Sequence, residues 1–278
     1  MKTLVVCNQK GGVGKTAVAT LLAHHLACRG SRVLALDFDH QGNFSETLRK
    51  SQRVAVCDAS ADQLLAGPLP VVPNRPFVLV PSGPGLLNLE RQPLQHTPFA
   101  RSFRSFVNQV DDTFDVCIVD TNPNPDIRLI AALASADFVL LPIQLNQEAM
   151  EGVGAMLNHE RVGVRKIKAV LNPKLSLIGL LPTAVEPTPF QRANFIQVIE
   201  RHHALMIKTG DGMGAIASIP KRSCIAEAQA SGELLWAMKK TAARDAWREI
   251  EPSLTRIAQL VTASARATSQ EPVNAAAA

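Results

Sequence analysis

Residues 1–42 read MKTLVVCNQKGGVGKTAVATLLAHHLACRGSRVLALDFDHQG, and the order of parts within them decides the fold. Leu4-Val5-Val6 is a short apolar run of strand length. Lys10-Gly11-Gly12-Val13-Gly14-Lys15-Thr16 follows, and fits the phosphate-loop pattern G-x-x-x-x-G-K-[ST] with Gln9 where the first glycine would stand. Gly11, Gly12 and Gly14 let the backbone curl so that N–H groups point inward at a phosphate chain. A helix beginning near Lys15 aims the positive end of its dipole at the same oxygens. Lys15 is placed to reach the β and γ phosphates and the Thr16 hydroxyl to ligate Mg²⁺. Val18, Leu21, Leu22 and Leu26 recur at helical spacing, Gly30 stands where a helix end favours glycine, and RVLALDFD (32–39) reads as the second strand.

Lys10 is not needed to hold phosphate within one subunit, because the loop already has Lys15. With it, KGGVGKT resembles the signature KGGxGK[ST] of the deviant Walker A ATPases, the ParA/MinD group. The resemblance implies an α/β fold, a doubly wound and mostly parallel sheet with helices on both faces, binding ATP with Mg²⁺. It places Lys10, Gly11, Gly12, Val13, Gly14, Lys15, Thr16 and Ala17 around the nucleotide, and makes Lys10 the residue that reaches across a dimer interface to the partner's ATP.

Asp37 and Asp39 lie at alternate positions near the carboxyl end of the second strand, where open α/β sheets bind ligands. Helix capping is the alternative reading of either aspartate. The run Asp37-Phe38-Asp39-His40-Gln41-Gly42-Asn43 keeps the ParA pattern D-x-D-P-Q-G-N except at His40. By resemblance Asp39 positions or activates the attacking water and Asp37 sits near Mg²⁺. Phe114-Asp115-Val116-Cys117-Ile118-Val119-Asp120 is an apolar strand closing on a carboxylate, the Walker B arrangement, which assigns Asp120 to the Mg²⁺ shell. Thr121-Asn122-Pro123 then resembles the second switch, with Asn122 where the family has a small residue or proline.

Further along, helices are expected at 44–50, 62–65, 99–110, 127–134 and 190–203, and strands at 77–81 and 137–143. Residues 166–171 read as the start of a strand region and 178–183 as a second apolar run. The stretch 144–152 resembles a family segment at the dimer face, with Glu148 or Glu151 as candidates. Ile219-Pro220-Lys221-Arg222 and SCIAEAQASG (223–232) resemble a segment that puts Pro220 near the adenine. No composition shift marks a boundary, so residues 1–263 are expected to form one domain and 264–278 a disordered tail.

The chain has 278 residues, 46% of them hydrophobic and 19% charged, which is ordinary for a globular protein with a sizeable core. No apolar run approaches the ~20 residues of a membrane span, and nothing at the N-terminus reads as a signal peptide, so the expectation is a cytoplasmic protein. The five cysteines, 7, 28, 57, 117 and 224, form no CxxC pair and have no ligand-like spacing to histidine. This argues against a cluster-bearing branch of the same superfamily.

The net charge is +5, and residues 192–248 hold nine lysines and arginines against five acids. Lys239, Lys240, Arg244 and Arg248 fall at spacings that build one stripe if the segment is helical. Such a stripe suits phosphate contact without base reading. The resemblance extends over residues 1–262. MKTLV at the start, FDVCIVDT and KKTAAR bring it near the plasmid partition ATPases of the IncC kind, in a short form without an N-terminal operator-binding domain. It implies an ATP-dependent homodimer on nonspecific double-stranded DNA, nucleoid-associated and released when a ParB-type activator stimulates weak hydrolysis. Lys221, Arg222 and Arg192 are the implied DNA contacts, and Lys239, Lys240 and Arg244 join them on charge geometry. Two alternatives are a MinD-like positioning ATPase, which needs a basic terminal membrane helix that 249–262 does not resemble, and an ATP-dependent amide ligase, which leaves Lys10 without a role.

Overall fold

The computed structural model describes residues 1–145, 149–210 and 215–268, with the side chains of 149–151 and 264–268 outside the description. Glu148, the Glu151 side chain and the tail beyond residue 268 therefore lie outside the described residues.

Seven strands build one sheet: β1 (Lys2–Val6), β2 (Val33–Asp37), β3 (Ala55–Val56), β4 (Phe77–Val80), β5 (Val116–Asp120), β6 (Phe138–Gln144) and β7 (Ser176–Thr183). Their order is β3-β4-β2-β5-β1-β6-β7, and every pairing is parallel. The buried strands carry apolar residues on both sides, as a sheet covered on both faces requires. In β1, Val5 faces one core while Leu4 and Val6 face the other.

The helices are α1 (Lys15–Cys28), α2 (Asn43–Lys50), α3 (Ala61–Ala66), α4 (Leu86–Leu89), α5 (His96–Gln109), α6 (Ile127–Ser135), α7 (Ala149–Asn158), α8 (Val164–Val170), α9 (Pro189–His202), α10 (Ser223–Ser231) and α11 (Thr241–Thr268). Buried residues of α1, α2, α10 and α11 share the Leu4–Val6 core, and those of α3 to α9 share the Val5 core. Helix α1 is covered nearly all round. Its His24 and His25 are packed on Phe77 and Trp247, and burial pushes each imidazole down to about 4. Helix α11 buries Ile250, Leu254, Ile257 and Val261 completely and packs on α1.

Two expectations change. Residues 164–170 are helix α8, not strand: Val164 and Ile167 are buried while Val170 is 61% exposed. Spacing of three across a short polar-apolar alternation mimics a strand. Lys239 and Lys240 precede α11, which starts at Thr241, so no helical stripe joins them to Arg244 and Arg248. That helix also runs through Thr268, past the expected start of the tail.

Candidate functional site

The carboxyl ends of β1, β2 and β5 meet at one point, and register fixes what stands there. Val6 of β1 pairs with Asp120 of β5, and Asp120 pairs with Asp37 of β2. Parallel neighbours in register present their side chains to the same face, so the two aspartates are brought together, both essentially without exposure.

The loop from Cys7 to Gly14 leaves β1 beside them. Gly14 caps α1 in the left-handed conformation (φ 81°), and Gly12 adopts it too (φ 74°), which favours glycine at both positions. Neighbouring strands brace the loop. Asn8 Nδ2 donates to the Pro142 carbonyl (2.7 Å), and Gln144 Nε2 donates to the Gly12 carbonyl (2.7 Å). The Thr183 hydroxyl lies within hydrogen-bond reach of the carbonyls of Val13 (2.7 Å) and Ile143 (3.0 Å). Lys15 Nζ donates to the Lys10 carbonyl (3.1 Å), and the Lys10 N–H donates to Asn8 Oδ1 (2.9 Å). Burial pulls the Lys15 ammonium below its ordinary range, against the attraction of Asp120 and Asp39.

Thr16 Oγ1 donates to Asp120 Oδ2 (2.7 Å), while Asp120 Oδ1 is buried and accepts no hydrogen bond. Burial pushes the Asp120 carboxyl well above its usual range, and the charge of Asp37 pushes it further. Burial also lifts Asp37, to about 6, against the hydrogen bonds it accepts from Ser45 and Asp39. Two buried carboxylates side by side, one oxygen unmatched, with a hydroxyl between them and the loop, are the donor chemistry of a hard divalent cation. Among the described residues no three His, Cys, Asp or Glu side chains converge on one point.

Asp37 does more than the sequence reading assigns to it. Its Oδ2 accepts from the Ser45 N–H (2.8 Å) and hydroxyl (2.6 Å), and so holds the first turn of α2. The carboxylate thus serves the start of α2, as the capping reading expects. Asp39 lies beyond the end of β2 and is partly exposed, in the cleft rather than on the strand face.

An open cleft of about 680 Å³ runs from Gly11, Gly12, Lys15, Thr16 and Asp39 to Gln229 of α10. A smaller recess of about 150 Å³ shares Gly12, Gly14 and Gln229 with it and reaches Ile219, Pro220 and Ile225. The polyphosphate loop and Pro220 thus open onto connected space, with the apolar recess on the side where a base would pack.

The expected DNA contacts are all exposed, and two of them, Lys221 and Arg222, also line the recess beside Pro220. Lys221 pairs with Glu186 (3.2 Å), Arg222 with Glu249 (2.6 Å) and Lys240 with Glu227 (2.5 Å). Among the described residues Arg192, Lys239 and Arg244 make no ion pair. Sequence reasoning missed Asn8, Gln144 and Thr183. The last two close β6 and β7, and polar residues at the carboxyl ends of parallel strands are the signal that finds them.

An AAA domain family matches residues 1–177. Protein IncC from Escherichia coli is 36% identical over 259 residues, covering 90% of this chain and 67% of that one. The chromosome-partitioning ATPase Soj from Thermus thermophilus is 34% identical over 183 residues, 66% of this chain and 69% of that one. Among solved structures, cobyrinic acid a,c-diamide synthase from Mycobacterium smegmatis with bound ADP and magnesium superposes with a TM-score of 0.67 at 26% identity. It covers 84% of this chain and 91% of that one.

Proposed function

Since the chain belongs to the ParA-type partition ATPases, the family of IncC and Soj, we propose that it binds ATP with Mg²⁺, dimerises around it and uses the dimer to hold nonspecific DNA. The observation that carries the nucleotide reading is the unmatched Asp120 Oδ1 beside Thr16 and Asp37 at the foot of the phosphate loop.

The loop N–H groups and Lys15 bind the phosphates, and the dipole of α1 favours their charge. Thr16 and Asp120, backed by Asp37, hold the cation, which when bound neutralises charge developing on the phosphoryl oxygens. Asp39 orients the attacking water from the open side of the cleft. Ile219 and Pro220 pack on the base. Lys10 acts toward the nucleotide of a second copy, which makes dimerisation depend on ATP.

The DNA surface is assigned to Arg192, Lys221, Arg222, Lys239, Lys240 and Arg244, with a ParB-type partner stimulating a weak hydrolysis. IncC is related over 90% of this chain, at higher identity than the diamide synthase, so nucleotide handling is what this chain shares with the synthase. Among the described residues no helix is long and apolar enough to cross a membrane.

The deciding experiment measures binding to random-sequence duplex DNA with ATP, ADP or no nucleotide, at two salt concentrations. Strong, salt-sensitive binding only with ATP is expected. Equal weak binding in all three states overturns the DNA role.

A further inference from the structure

The two positions where this chain departs from its family's switch patterns, His40 and Asn122, are 82 residues apart in sequence and joined in space. Asn122 Nδ2 donates to Asp126 Oδ2 (3.0 Å). A carboxylate only accepts, so the amide nitrogen is the atom that faces it, and Asn122 Oδ1 is left buried without a partner. Asp126 caps α6 by accepting from the Arg128 N–H (3.0 Å), and its two oxygens grip the Arg128 side chain through Nε and Nη2. Asn122, Asp126 and Arg128 are all at least nine-tenths buried. The remaining arm, Nη1, points to His40 Nδ1 (3.3 Å), and the same Nδ1 lies 3.4 Å from Asp39 Oδ1.

We propose that Asn122, Asp126 and Arg128 are positioning residues that act through His40 on Asp39, and so tie the loop after β5 to the water-orienting carboxylate. The proposal rests on the role given to Asp39 above. A guanidinium only donates, so while Arg128 engages His40, Nδ1 must accept, and the ring proton sits on Nε2, where the Gln41 amide (2.8 Å) accepts it once turned about its Cγ–Cδ bond to present Oε1 in place of Nε2. One nitrogen cannot also donate to Asp39. Held in place, Arg128 therefore keeps Asp39 Oδ1 clear of a histidine donor. Once Asn122 moves, Asp126 loses a donor, Arg128 loses its fixed orientation, and His40 is free to turn its Nδ1–H onto Asp39. Asp39 is then a poorer acceptor for water. The loop that follows the cation-binding Asp120 thus sets the competence of the residue next to His40. A buried bidentate pair suits this task because its geometry is rigid.

The test uses the full chain with ATP and Mg²⁺. Asn122→Ala should lower kcat between about 10- and 100-fold, the scale of a misplaced catalytic group, with KM for ATP within about 2-fold. Arg128→Lys keeps a charge on Asp126 but loses the arm to His40, and should do the same. Adding His40→Ala to either variant removes the competing donor and should recover most of the lost rate. A merely structural role predicts the opposite, since a second substitution in the same network would add to the damage. Thermal melts of each variant confirm folding, and Arg128→Lys stands in if Asn122→Ala does not fold. The relay is overturned if neither single variant slows turnover, or if the double variants are as slow as the singles. A wild-type chain that hydrolyses no ATP would overturn the ATPase reading itself, and the relay with it, whereas normal wild-type turnover with unrecovered double variants overturns the relay alone.

Discussion

At the carboxyl edge of β2 and β5, Asp37 and Asp120 are buried side by side, and one oxygen has no partner. Along the surface from Lys221 to Arg248 the situation is reversed: cations are exposed, and Lys221, Arg222, Lys240 and Arg248 are each matched to a nearby acid of the same chain. The first region stores an electrostatic mismatch that a cation and a phosphate chain relieve. The second has less mismatch to relieve: a polyanion meets Lys239 and Arg244 directly but must displace internal acids to reach the other four cations. Exposed pairs of this kind are weak and screened by salt, so displacement is feasible but sensitive to ionic strength. Affinity for nucleotide is built into the fold, whereas the proposed affinity for DNA would depend on how many such cations are presented at once. A dimer would double that number.

The largest effect should come from Lys15→Ala, which removes the buried ammonium facing the loop. ATP binding should weaken by about 100-fold or more in a fluorescent-nucleotide titration, because charge-assisted contacts to phosphate are among the strong ones. Retained affinity would mean the mismatch at the carboxylates alone is enough. Asp39→Ala should leave ATP binding and dimerisation intact while phosphate release falls by about 100-fold. Lys10→Ala should bind ATP but remain monomeric by light scattering, and a normal dimer would remove Lys10 from the interface.

The pH dependence follows from Asp37, lifted by burial to about 6. Proton and cation compete for the carboxylate, so Mg²⁺-dependent ATP affinity should hold above about 6 and fall as pH drops through it. A flat profile between about pH 5 and 7.5 would show that Asp37 does not serve the cation. At the basic surface, Glu249→Gln releases Arg222 and should tighten DNA binding by about 2- to 5-fold at low salt. Replacing Lys239, Lys240 and Arg244 together should flatten the slope of log affinity against log salt by about 0.9 for each phosphate that is no longer neutralised. The smallest effect is on stability. A raised carboxyl favours the protonated fold, so its contribution is present below the unfolded value and lost as pH rises. Asp120→Asn, assayed near neutral pH without Mg²⁺, should therefore raise the melting temperature by about 3 °C. A fall would mean the pair is compensated by other means.

Much of this was legible from residues 1–42, because the loop, helix and second strand have fixed chemistry at fixed spacing. Asp120 was legible for the same reason, as a carboxylate closing an apolar strand. What escaped has no periodic signal. Thr183, Gln144 and Asn8 are single polar residues whose importance comes from strands adjacent only in space. The segment 166–171 misleads because Lys-Ile-Lys-Ala-Val-Leu satisfies alternation as well as a one-sided helix that buries just Val164 and Ile167. Strand β3 is missing from the sequence reading because it has only two residues and pairs at the sheet edge. The Arg128–Asp126 pair was invisible as well, since two residues apart on a helix cap gives no stripe.

Thr16 and Asp120 touch although they stand 104 positions apart in the chain, and both depend on the parallel pairing of β1, β2 and β5. Long-range parallel pairing closes late in folding, after the loop entropy has been overcome. The cation site is therefore absent from any partly folded chain that lacks β5. Nucleotide can reward only the finished sheet, so each unit of binding free energy is added whole to global stability. ATP that binds only the finished sheet would therefore stabilise the folded chain through binding, whether or not it is hydrolysed.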